Sequence, residues 1–281
     1  MSRRLTNCPF CGERRRETVE DAWPRWLNKV MLDPQGAGQA HDISIVDGVP
    51  MVRRRRKVVS YNTERVRGIC ADCNNGWMSR LESAAKPILT PMILGEPVTL
   101  STADQQVVAA WATKTALVLE YSHRDRPIVA PAQLLHFGQT QSPFPDSLVF
   151  LAAFDGEGWA LNHGRASVPA TTRSGEEVPI LLIMTMCVGR LTLQVAASSH
   201  VGSTRRSALL QRDDQLFARR IFPASGQPVA WPPPIAMNRA QFYEFAMAEG
   251  TDAEIEELIA LGSLQNSAAR VAHGSEDSEH A

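Results

Sequence analysis

Two Cys-x-x-Cys pairs constrain this chain more than any other feature: Cys8-Pro9-Phe10-Cys11 near the start and Cys70-Ala71-Asp72-Cys73 further on. Each pair can turn two thiolates toward one point, and four thiolates in a tetrahedron make a closed structural zinc site. The alternative, a dithiol redox motif, usually comes singly beside a βαβ pattern, and neither pair has one around it. The 58 residues between Cys11 and Cys70 far exceed the loop of a simple zinc ribbon, so that stretch must itself be organised. One zinc ion shared by Cys8, Cys11, Cys70 and Cys73 is the expectation.

At 281 residues the chain can build one large domain or two modest ones. Five cysteines do not make a disulfide scaffold at this length, and the fifth, Cys187, sits in an apolar run. The first residues hold no apolar signal-like stretch, and no later run reaches the roughly 18 apolar residues that a membrane span needs. These features predict a soluble protein of a reducing cytoplasm with no membrane partner. The formal charge of −1 conceals a division: residues 1–80 carry 15 Lys+Arg against 9 Asp+Glu, and residues 81–281 carry 14 against 21. A basic first part suits local attraction of a polyanion; arginines that merely solvate a loop would give the same balance.

Taken in order, Thr18-Val19 reads as a short strand leading into Glu20-Asp21, and Pro24 suits the first turn of a helix that begins at Trp23-Pro24. Trp23, Trp26, Leu27 and Val30 would share its inner face. A hairpin follows, with Asp42-Ile43-Ser44-Ile45-Val46 and a strand from Met51 to Tyr61 around Asp47-Gly48. Arg53, Arg54, Arg55, Arg56 and Lys57 form a cationic run on its second strand. Phosphate contact would relieve the crowding of like charges, and so would a disordered basic loop. Asn74 reads as the N-cap of a helix over 75–85 that Pro87 and Pro91 terminate. Ser101-Thr102-Ala103-Asp104 then caps a long helix to about Tyr121, whose broad apolar stripe marks it as buried. Lys114 lies beside that stripe and is expected to snorkel. A short helix over 131–137 precedes two expected hairpins, 148–154 with 159–162 and 178–188 with 191–197, forming an antiparallel meander. Helices near 239–248 and 252–261 and a disordered acidic tail over 263–281 complete the chain.

The order of features in residues 8–82 resembles the HNH, or ββα-metal (treble-clef), endonucleases that carry a structural zinc on two Cys-x-x-Cys knuckles. In that family a strand after the first knuckle ends in Glu-His-x-x-Pro, and a second knuckle followed by Asn or His opens a helix. Glu20-Asp21-Ala22-Trp23-Pro24 stands where Glu-His-x-x-Pro is expected. Cys70-Ala71-Asp72-Cys73-Asn74, with Trp77 and Glu82 beyond it, matches the second element. The resemblance implies metal-dependent hydrolysis of phosphodiester bonds in nucleic acid, DNA above all. Glu20 and Asn74 would hold Mg²⁺ or Mn²⁺, with Asn75 as a further contact, and Arg53 to Lys57 would grip phosphates. The departure is Asp21, where the family places its general-base histidine, because a carboxylate beside a cation is a poor base toward water. Either Asp21 is a further metal ligand or the site has lost its chemistry. His41 is the other residue the sequence offers as a base, although a lone histidine before a strand is more often a surface residue.

These readings predict an α+β protein. A zinc-stapled HNH-like ββα finger, residues 1–97, precedes a larger domain, residues 98–262, with a buried helix, an antiparallel β-meander and C-terminal helices. The expected function is that of an HNH-like endonuclease. A catalytically inactive zinc-stapled nucleic-acid-binding module and a protein-interaction scaffold are the alternatives.

Overall fold

In a computed structural model the described residues are 5–30, 38–46, 49–58, 65–122, 128–155, 161–171, 177–198, 217–238, 241, 242 and 245. The expected turn at Asp47-Gly48, most of the helix near 239–248, the helix at 252–261 and the tail over 263–281 lie outside them. The fold mixes helices and sheets, with the cysteine cluster near its N-terminus.

The chain opens as a tight hairpin because the first knuckle is its turn. Strands β1 (Leu5–Asn7) and β2 (Arg14–Asp21) pair antiparallel on either side of it. Gly12, at φ +74°, allows its N–H to reach the Cys8 carbonyl at 2.8 Å, a conformation that costs glycine little. On the other side of β2 lies β5 (Arg65–Cys70), completing a three-stranded sheet in the order β1-β2-β5. The pairing of β2 with β5 shifts register between Thr18 and Val19, where Gly68 at φ +99° is the extra residue of a β-bulge. Strand β2 starts earlier than the Thr18-Val19 strand read from the sequence, at Arg14. The helix α1 (Leu27–Val30) begins later than expected, after a turn that buries Trp23 completely.

The second knuckle is built differently from the expectation. Cys70, not Asn74, caps the helix: its Sγ accepts from the Cys73 N–H at the start of α2 (Ala71–Cys73). Asn74 begins a wide π-type turn (Asn74–Met78) with Gly76 at its kink. Helix α3 (Ser79–Leu94) then continues through Pro87 and Pro91 to a left-handed Gly95 at φ +81°. An interior proline costs a helix about 3 kcal/mol. Full burial of Ala85, Leu89, Met92 and Ile93 outweighs that cost, at roughly 1.5–3 kcal/mol for each large side chain.

Helix α4 (Thr102–Tyr121) has the expected capping box at Ser101 and Asp104 and is buried throughout residues 108–120. It packs against α3 and against the large sheet. That sheet runs β11 (Ala218–Phe222), β7 (Leu148–Phe154), β10 (Leu191–Ser198), β9 (Glu177–Val188), β8 (Leu161–Thr171), β3 (Gly38–Val46), β4 (Val49–Val58), with β13 (Ala236–Met237) also on β7. The expected 178–188/191–197 hairpin is present as β9 and β10. Among the described residues the expected partnership of 148–154 with 159–162 is absent, since Leu161 and Asn162 pair with β9. Strand β7 lies between β10 and β11, and all seven of its residues are buried, a composition suited to the middle of a sheet with both faces covered. The sheet is also not purely antiparallel, since β3 runs parallel to β8. The β3–β4 hairpin therefore joins this sheet and not the three-stranded one, so the sheet takes strands from both sides of residue 97. A small ribbon of β6 (Val98–Leu100) with β12 (Val229–Trp231) covers the start of α4.

Alternate residues of β7 feed two cores. Val149, Leu151 and Ala153 belong to the main core, which is continuous through Trp111 and Leu89 with Trp77, Phe10 and the cysteines. Leu148, Phe150 and Phe154 face a smaller core with Ile183 and Phe242. Helix α5 (Pro131–Thr140) closes over the first knuckle: Phe137 meets the Trp77 indole edge-on at 5.7 Å, and Trp77 meets Phe10 at 5.8 Å. Among the described residues no helix is long and apolar enough to cross a membrane. Gly138 lets α5 approach this closely, since a Cβ there would lie 1.8 Å from the Phe10 carbonyl oxygen. Backbone must yield to a methyl group at that position, so Gly138→Ala is expected to destabilise the chain by about 3 kcal/mol, read as a lower denaturation midpoint with an unchanged m-value.

Candidate functional site beside the cysteine cluster

The Sγ atoms of Cys8, Cys11, Cys70 and Cys73 all lie within 4.8 Å of one another, and Cys11 Sγ stands 3.8 Å from Cys70 Sγ. A tetrahedral Zn–S distance of about 2.3 Å places sulfurs about 3.8 Å apart, so the donor set fits zinc in both chemistry and spacing. Backbone N–H groups already point at sulfur, from Cys70 to Cys8 at 3.5 Å and from Cys73 to Cys70 at 3.4 Å. The Cys73 thiol, together with the N–H groups of Cys70, Phe10 and Cys11, holds Cys8 down to about 4. Cys73, which supplies that hydrogen, is raised by the interaction and by burial. Burial pushes Cys11 up to about 11. The cluster favours one thiolate and resists the next, a resistance that a bound cation removes. All five cysteines are free thiols, and the fifth, Cys187, is a buried residue of β9 pushed up to about 12 by that burial.

Beyond this cluster, where β2 ends against the π-type turn, lies a cleft of about 370 Å³ lined by Glu20, Asp21, Arg25, Asn74, Asn75 and Glu82 among others. Thr18 joins the two elements: its Oγ1 donates to the Ile69 carbonyl at 2.9 Å and accepts from Asn74 Nδ2 at 3.1 Å. Two residues further along the same face of β2, Glu20 is 6% exposed. Its carboxyl is pushed up to about 7, chiefly by burial, with Lys114 opposing the rise and the charges of Glu82 and Asp21 adding to it.

Lys114 corrects the sequence reading. Instead of snorkelling, its side chain is wholly buried, with Nζ 2.6 Å from Glu82 Oε1 and 3.8 Å from Glu20 Oε1. An ammonium taken out of water needs such partners, and α4 delivers it beneath the carboxylates. Asp21 is also bound by cations. Arg25 Nε donates to its Oδ2 at 2.6 Å, and Arg65 Nε lies 3.2 Å from Oδ1.

Of the residues marked out in the sequence, Glu20, Asp21, Asn74, Asn75 and Glu82 therefore meet at one cleft. His41 does not join them on the three-stranded sheet: it sits on β3, opposite Arg55 of β4 and Gly164 of β8, and its side chain lies outside the described ones. Arg53 to Arg56 and Lys57 belong to β4, the terminal strand of the large sheet. Sequence reasoning singles out Lys114 but expects it to snorkel, and it misses Arg25 and Arg65. The signal for Lys114 was present: Trp111, Ala112, Ala116 and Leu117 surround it on a helix with no polar face from which to snorkel. Arg25 and Arg65 carried no such signal, because their common partner depends on strand register.

No family model, no curated protein and no solved structure matches the chain.

Two outcomes follow from this geometry. Purified chain should carry one tightly held zinc by elemental analysis, and Cys70→Ser should lose the metal together with the cooperative thermal transition, because binding at such sites is coupled to folding. Glu20 gives a pH dependence. Its folded value, about 7, exceeds its ordinary 4.5, so the folded chain binds the additional proton between those limits. Stability should fall as pH rises through that window, by about 3 kcal/mol at 1.36 kcal/mol per unit. In urea titrations without added divalent cation, Glu20→Gln should be more stable than wild type at pH 8 and nearly equal to it at pH 5.

Proposed function

We propose that this chain is an HNH-like, metal-dependent nuclease that hydrolyses phosphodiester bonds in nucleic acid, with DNA as its substrate. The observation that carries this reading is the meeting of Glu20, at the end of a strand, with Asn74, at the turn after the second knuckle, in one cleft beside four clustered cysteines. Carboxylate and amide oxygens are donors that hard divalent ions take, and Glu20 and Asn74 are the residues that would hold Mg²⁺ or Mn²⁺. Such an ion, when bound, supplies charge stabilisation to a scissile phosphate and its leaving oxygen.

The chain's own residues do the remaining work. Thr18 fixes the Asn74 amide, and Lys114 holds Glu82 in place beside Glu20 through its 2.6 Å contact. Asp21 has a guanidinium against each oxygen. Arg53, Arg54, Arg55, Arg56 and Lys57, on an edge strand, would attract the polyanion. A second reading, a zinc-stapled nucleic-acid-binding module without turnover, draws support from Lys114, whose ammonium already offsets charge on the cleft's carboxylates.

Nicking of supercoiled plasmid with Mg²⁺ or Mn²⁺ separates the two readings. Cleavage should require the added ion and fall at least roughly a hundredfold in the Glu20→Ala, Asn74→Ala double variant, since ligands matter more than the supporting shell, whose loss costs 10–100-fold. Equal cleavage by wild type and double variant removes this site from the chemistry. Salt-sensitive binding with no cleavage selects the binding module.

A further inference from the structure

Where an HNH nuclease would place its general base, this chain holds Asp21, and its surroundings describe a different task. Asp21 is the last residue of β2, with a side chain 10% exposed. Arg65, the first residue of β5, stands directly opposite it in the sheet. Arg25 comes from the turn that follows β2. Arg25 donates its Nε–H to Oδ2 at 2.6 Å, and Arg65 Nε lies 3.2 Å from Oδ1 as an ion pair without a hydrogen bond. Neither Nη pair has a partner among the described residues, and the two side chains are 74% and 57% exposed.

Stability does not account for this arrangement. Exposed ion pairs contribute little, and Asp21 Oδ1 is buried without a hydrogen bond in good geometry. What the arrangement provides is orientation. A guanidinium held through Nε presents its two terminal nitrogens as a fork, the geometry that matches two oxygens of one phosphate. Arg25 itself lines the cleft, together with Asn75 and Ser79. Two cations on one carboxylate leave the rim one positive charge in excess. The floor beneath, Glu20 and Glu82 over Lys114, has one negative charge in excess when both are ionised. An anionic group is thus attracted to the rim and kept off the floor.

We propose that Arg25 and Arg65, oriented by Asp21, form a clamp for a backbone phosphodiester of nucleic acid at the mouth of the cleft. This rests on the nucleic-acid reading above and adds the place where the chain grips its substrate. Asp21 is on this account a positioning residue, with neither a base's nor a ligand's role.

The test is fluorescence anisotropy of the full zinc-loaded chain with labelled single-stranded DNA, duplex DNA and RNA. It is run at several salt concentrations without added divalent cation, so that binding is read apart from cleavage. Arg25→Ala and Arg65→Ala should each weaken binding roughly tenfold and each reduce the slope of log K against log[salt] by about one. Arg25→Lys and Arg65→Lys should keep the wild-type slope and still lose affinity, because a point charge replaces a fork. Arg190→Ala is the equal-charge control: Arg190 is an exposed arginine paired with Asp155. Losses at Arg25 and Arg65 no larger than at Arg190, lysine variants that bind like wild type, or a wild type that binds none of the three probes would each overturn the clamp. Binding that depends on both arginines without cleavage in Mg²⁺ or Mn²⁺ keeps the clamp and removes the nuclease. Cleavage and binding indifferent to both arginines does the reverse.

Discussion

The meeting of four sulfurs from two distant knuckles is the constraint on which the rest depends. Closing an excursion of 58 residues costs chain entropy that grows slowly with length, and the pairing of β2 with β5 and the Phe10–Trp77 contact offset it beside the sulfurs. The cluster also fixes direction. Cys11 leaves the cluster into β2 while Cys70 arrives from β5, so the two strands must run antiparallel and side by side. Once they do, the end of β2 faces the turn after Cys73, with the cleft between them.

Two local irregularities then aim the side chains. In a regular pairing Ile69, Arg67 and Arg65 would share one face of β5. Gly68, as an extra residue at φ +99°, reverses that alternation: Val66 joins Ile69 in the core, at 2% and 0% exposed, while Arg65 and Arg67 turn outward. Arg65 thereby comes to lie against Asp21. The π-type turn at Asn74–Met78 does the equivalent for the helix. It widens the first turns after the knuckle, so that Asn74 and Asn75 reach the cleft while Trp77 still faces Phe10 and Phe137.

The legible parts of the sequence were those whose signals are local. The knuckles declared themselves by spacing, α4 by its capping box, and β9–β10 by a two-residue turn between apolar runs. Less legible was anything decided by a second layer. A hairpin is the shortest connection and so pairs β7 with its neighbour in sequence, whereas β7 lies inside the sheet between β10 and β11, with all seven residues buried. Prolines at 87 and 91 read as a helix terminus, but the core under Leu89, Met92 and Ile93 keeps the helix intact past them. Asn74 looked like a cap because asparagine usually is one there. A cysteine sulfur, already positioned by the cluster, performs that task three residues after the strand's last exposed position.

Lys114 shows why the cysteine-bearing segment is not self-sufficient. Glu20 belongs to β2 and Glu82 to α3, both within the first 97 residues, yet the ammonium that lets two carboxylates lie so close together comes from α4. Without it, two carboxylates would share the cleft with no cation between them to offset their mutual repulsion. The same helix presents Glu120 to Arg165 of β8 in a second buried pair, 2.5 Å at its shortest. Strand β8 in turn carries β3 and β4. One helix therefore supplies a counter-charge for the cleft from its middle, through Lys114, and near its C-terminal end, through Glu120, a tie to the sheet that holds the basic strand. Strands and cleft are linked by a single element, so neither half of the chain contains the whole site.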